Sequence, residues 1–91
     1  VAVDDGLLGI YLGDSNGNTV TDNIVNNTTY GIHSYGGNNN NISGNTTSGN
    51  QYGFLLTFAN NNFISNNASI NNTYGIFISL SSIGSYILAI S

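Results

Sequence analysis

The chain has 91 residues, no Lys or Arg, four acidic residues and a formal net charge of −4, so it has no cations to neutralise phosphates and nucleic-acid binding is excluded. It has no Cys, which excludes a disulfide framework and a thiolate metal site. Its 40% hydrophobic content without Pro excludes disorder despite 18 Asn, and a domain this short buries only about 60–65% of its unfolded surface around one thin core.

Self-similarity organises the chain. Residues 1–8 read as the end of a copy, with Val3 at the position of Val25 and Thr47. Complete copies then occupy 9–30, 31–52 and 53–74, and a degenerate, apolar copy occupies 75–91. Their glycines, Gly9, Gly31, Gly53 and Gly75, are spaced 22 residues apart without insertion.

The elements recur in the same order within each copy. After each glycine, Ile10 and Leu12, Phe54 and Leu56, and Ile76 and Ile78 alternate with outward residues, which predicts a strand with those side chains inward. Ser34 is the exception after Ile32. Val20, Ile42 and Ile64 mark a second strand. A third passes through Val25, Thr47 and either Ser69 or Ile70. Gly and Asn turns separate the strands, and no stretch has helix periodicity.

Stacking such copies about 4.8 Å apart predicts an all-β fold, a parallel β-helix (solenoid) of about four 22-residue coils in one domain spanning 1–91. Like residues then form columns. Asn23, Asn45 and Asn67, Asn16, Asn38 and Asn60, and Asn18, Asn40 and Asn62 are expected to form amide ladders that pair turn groups. A leucine-rich repeat has a similar period but needs a dense Leu framework that these copies lack.

Little points to chemistry. Asp4, Asp5, Asp14 and Asp22 are confined to the first 22 residues, so no paired carboxylates flank a substrate and no enzyme activity is expected. Asp14 and Asp22 with Asn oxygens suit a hard cation, but YGGNNNN has the glycines of a calcium loop without its acid. No metal site or cofactor is expected. His33 is a lone imidazole and a poor ligand set.

The outward column Tyr11, His33, Leu55 and Phe77, with Tyr35 two residues beyond His33, is the candidate ligand or partner stripe, because exposed apolar stripes mark contact surfaces. Phe77, Leu80, Ile83 and Ile87 in the apolar last copy form a candidate assembly interface. Tyr30, Tyr52 and Tyr74 form a corner column whose direction the pattern leaves open. Of six N-x-S/T acceptor patterns, Asn26, Asn27 and Asn71 are the candidates for N-glycosylation of a glycoprotein, whereas Asn45 and Asn67 fall in a ladder. Segment 75–91 is shorter than the roughly 20 apolar residues of a spanning helix.

The GI-x-L strand followed by NTVTDNIVNN, NNISGNTTSGN or NNFISNNASINN resembles the right-handed parallel β-helix repeat family, in particular the NosD-like copies of archaeal and bacterial surface and periplasmic proteins. The resemblance implies a right-handed coil and an extracellular or cell-surface location. It does not select among that group's copper-site maturation, carbohydrate-binding, carbohydrate-cleaving and surface-repeat members. The expected function is a non-catalytic structural module whose partner is itself, self-associating into a filament, sheath or surface layer. The alternative is a carbohydrate-binding module with polysaccharide as partner.

Overall fold

The computed structural model describes the backbone of residues 2–4, 6–79 and 86–90, and the side chains of residues 6–77. The described elements are strands: β1 (Ala2–Asp4), β2 (Leu8–Gly13), β3 (Thr19–Thr21), β4 (Ile24–Asn26), β5 (Tyr30–Tyr35), β6 (Asn41–Ser43), β7 (Thr46–Ser48), β8 (Tyr52–Thr57), β9 (Phe63–Ile70), β10 (Tyr74–Ser79) and β11 (Tyr86–Ile90). Every pairing among them is parallel.

β10, β8, β5 and β2, in that order, form one face. β3, β6 and the first half of β9 form a second, and β1, β4, β7 and the second half of β9 a third. β9 belongs to two faces because it bends at Asn66, whose φ is 53°. The chain is an all-β parallel solenoid with three sides.

The register follows the repeat. Val3 pairs with Val25, Val25 with Thr47, and Thr47 with Ser69, so Ser69 rather than Ile70 holds the third-strand position. The last coil departs from it: Ile87 pairs with Ile64, 23 residues back. That one-residue shift puts Ile87, by register, in the column of Val20, Ile42 and Ile64.

Inward residues build the core. Val20, Val25, Ile32, Ile42, Phe54, Leu56, Ala59 and Ile64 form one buried cluster, with Ile10, Leu12 and Ile76 packed against it. Each large side chain enclosed this way contributes about 1.5–3 kcal/mol through its removal from water. Every coil is thin, so burial is complete only where a coil is covered above and below.

Corners are set by residues in the left-handed region. Gly17, Asn39 and Asn61 form one such column; Asp22, Gly44 and Asn66 a second; Asn27, Gly49 and Asn71 a third. Gly, Asn and Asp accept this backbone at low cost. The fourth column is Asp14, Gly36 and Phe58, and Phe58 holds φ 51° there.

Amide ladders satisfy the corners. The Asn45 Oδ1 accepts from the backbone N–H and Nδ2 of Asn23, both at 3.0 Å, and the Asn67 Oδ1 accepts from the Asn45 backbone N–H at 2.8 Å. The Asn45 Nδ2 donates to the Val20 carbonyl at 2.9 Å, and the Asn67 Nδ2 to the Ile42 carbonyl at 3.0 Å. Asn18, Asn40 and Asn62 repeat the backbone N–H to Oδ1 contact at a second corner.

The third corner has a ladder that the repeat comparison above does not identify. The Asn50 Oδ1 accepts from the Thr28 N–H, and the Asn72 Oδ1 from the Asn50 N–H. Thr28 stands where the later copies have Asn, so the column is not uniform in sequence. Asn16, Asn38 and Asn60 run the other way on the outside: the Asn38 N–H donates to the Asn16 Oδ1, and the Asn60 N–H to the Asn38 Oδ1.

Candidate functional site

Face one carries the outward residues singled out by the repeat. The register stacks Tyr11, His33, Leu55 and Phe77 in one column, with Gly13, Tyr35 and Thr57 in the next. The glycine at the second position of each strand decides what joins them. Strict alternation from Ile32 would send Tyr30 inward, yet Gly31 and Ile32 are both buried. Two successive inward positions reverse the parity, and Tyr30 turns outward.

Only glycine fits there. A Cβ on Gly53 would lie 2.6 Å from the Gly75 carbonyl oxygen and 2.8 Å from the Thr47 Oγ1. A Cβ on Gly31 would meet the Gly53 carbonyl oxygen in the same way. The close approach between coils thus requires the glycine that turns the tyrosine outward.

Tyr30, Tyr52 and Tyr74 consequently form an outer column of parallel rings. Tyr30 and Tyr52 have centroids 5.4 Å apart and planes at 13°; Tyr52 and Tyr74 are 5.0 Å apart at 17°. These rings lean over the central column: Tyr30 stacks on His33, and Tyr52 and Tyr74 meet Phe77 edge-on. Leu55, expected in an exposed stripe, is only 8% exposed. The stripe is open at its ends, at Tyr11 and Phe77, and closed in the middle.

His33 is enclosed by Tyr11, Tyr30 and Tyr35, with centroids at 5.3, 5.5 and 6.1 Å. Its Nδ1 and Nε2 are both covered and have no hydrogen-bond partner among the described residues. Burial holds its imidazole below the usual histidine range. The inward Ser34 hydroxyl beside it, in the column of Leu12 and Leu56, is also buried without a partner.

Tyr35 meets Phe58 edge-on, centroids 5.8 Å apart. Phe58 is 46% exposed and sits in the left-handed corner column, a conformation costing an L-residue roughly 1–2 kcal/mol. The 22-residue offset from Asp14 and Gly36 was its visible signal in the sequence. Together with the exposed Tyr11, Tyr35, Tyr74 and Phe77, it makes face one an aromatic surface.

Leu80 and Ile83 of the proposed assembly interface lie outside the described residues, as does the Ile87 side chain. Asp14 and Asp22 are exposed on separate corners, and no group of three His, Cys, Asp or Glu stands together among the described residues. Asn27 and Asn71 are exposed, whereas Asn26 is half-buried and its Oδ1 accepts from the Ser48 hydroxyl at 2.6 Å. The Thr28 hydroxyl of the Asn26 acceptor pattern is buried and donates to the Asn50 Oδ1. No helix among the described residues is long and apolar enough to cross a membrane.

Compared with known proteins, residues 2–87 match the family model of NosD, described as a periplasmic copper-binding protein. No curated protein and no solved structure matches.

Proposed function

The chain belongs to the NosD family, and from that membership and its aromatic face we propose that this extracytoplasmic β-solenoid is a non-catalytic structural module that self-associates. The observation that carries the proposal is the aromatic outer surface of face one, where Tyr11, Tyr35, Phe58, Tyr74 and Phe77 are exposed in a chain without Lys or Arg. Apolar surface of this kind favours burial against a partner, and an edge without cationic gatekeepers does little to oppose stacking of copies. Filaments or layers in electron micrographs are the expected result. A stable monomer by light scattering in dilute buffer would overturn it.

A second reading, a carbohydrate-binding module, is favoured by the Tyr35–Phe58 pair, which stands at the start of the turns that carry the exposed Asn39 and Asn61. Aromatic faces stack on sugar rings while amides bond hydroxyls. Titration with soluble polysaccharides tests it; binding unchanged in Tyr35→Ala removes it.

Copper, named in the family's description, does not fit the donors of this chain. The sequence has one His and neither Cys nor Met, where copper sites draw on several imidazole, thiolate or thioether ligands. Both nitrogens of that His are enclosed by tyrosine rings.

A further inference from the structure

We propose that the tyrosine column of face one is a site of oxidative cross-linking, in which Tyr52 couples to Tyr30 or Tyr74 and staples adjacent coils through a dityrosine bond. The inference rests on ring geometry and on the cysteine count, and is independent of whether the module self-associates.

Tyr30, Tyr52 and Tyr74 are in direct register on β5, β8 and β10. Their rings are nearly parallel, at 13° and 17°, with centroids 5.4 and 5.0 Å apart. Among the described residues these are the tyrosine–tyrosine ring contacts; Tyr11 and Tyr35 instead meet His33, and Tyr35 also meets Phe58. Tyr74 is 45% exposed and Tyr52 half-buried, so the column is open to a diffusing oxidant at its C-terminal end. Parallel strand pairing holds neighbouring rings at close to one strand spacing, which raises their effective concentration far above that of two tyrosines meeting in solution.

The chemistry balances with hydrogen peroxide and a peroxidase as the one-electron oxidant. Each phenol gives up one electron and its hydroxyl proton to form a phenoxyl radical. The two radicals join through their ring carbons ortho to oxygen, forming one C–C bond. The hydrogens on those carbons then move to the phenolic oxygens and restore both aromatic rings. Two electrons and two protons leave the protein, and they reduce one hydrogen peroxide to two waters.

Such a bond does for this chain what a disulfide does elsewhere. With no Cys it cannot join neighbouring coils through a disulfide.

The test is treatment of the folded chain with horseradish peroxidase and hydrogen peroxide, read by dityrosine fluorescence, gel mobility and peptide mass spectrometry. The expected product is a monomer lighter by two hydrogen atoms, with its cross-link between Tyr52 and Tyr30 or Tyr74. Tyr52→Phe should abolish the monomeric product, whereas a Tyr11→Phe, Tyr35→Phe double variant should retain it. Unfolding in urea before oxidation should remove the dependence on Tyr52. Cross-links found only between molecules, or monomeric dityrosine that persists in Tyr52→Phe, would overturn the proposal.

Discussion

Replacing Asn45 by Ala is the sharpest test of the amide ladders. Asn45 is 1% exposed. Its Oδ1 accepts from the Asn23 backbone N–H at 3.0 Å, and its Nδ2 donates to the Val20 carbonyl at 2.9 Å. Alanine removes both contacts and leaves a backbone donor and a backbone acceptor unmatched inside the coil. At about 1–3 kcal/mol for each buried group left unpaired, Asn45→Ala should cost about 2–6 kcal/mol. Total stability of a domain is about 5–15 kcal/mol, so the variant should stand near the edge of folding. Asn41→Ala is the control: Asn41 is exposed on β6, and its loss should stay within about 0.5 kcal/mol. Urea unfolding followed by far-UV circular dichroism measures both, with an unchanged slope indicating that the same surface is exposed. If Asn45→Ala costs no more than Asn41→Ala, the ladders do not hold the corners and the reasoning fails.

Three further outcomes follow from the same geometry. Burial lowers the folded-state pKa of His33, so the unfolded chain binds more protons below its ordinary value of about 6.5, and stability present above that value is lost as pH falls through it toward the folded pKa. The urea midpoint should drop between about pH 7.5 and pH 5.5, above the carboxylate range. His33→Leu, which borrows the residue of the next coil, should flatten that dependence, and an unchanged slope would refute it. Gly31→Ala places a methyl against the Gly53 carbonyl oxygen and should cost about 3 kcal/mol or more; a variant with native midpoint would show that the coils can separate there. Phe58→Gly relieves a left-handed backbone by about 1 kcal/mol but loses the Tyr35 ring contact of similar size, so its stability should barely move while self-association weakens. Undiminished association by light scattering would take Phe58 out of the contact surface.

The sequence by itself determined the coil. A 22-residue spacing of glycines, Ile and Val columns and asparagines maps directly onto parallel pairing, because in a solenoid the residue one repeat away is the hydrogen-bonded neighbour. The inward columns of Ile32 and Phe54 and of Ile42 and Ile64, and two of the three inner ladders, were legible for that reason. Uneven copies hid the rest. The Asn50 and Asn72 ladder was obscured by Thr28, and the shifted register of Ile87 by a last copy without asparagine landmarks. What the face exposes was decided only by tertiary structure. Alternation predicts sides within a strand, but the paired inward positions Gly31 and Ile32 reset it, and that reset turns Tyr30, Tyr52 and Tyr74 outward. Once outward, Tyr30 stacks on His33, and Tyr52 and Tyr74 meet Phe77 edge-on. How far a side chain is exposed depends on which neighbours lean over it, and this the repeat does not encode.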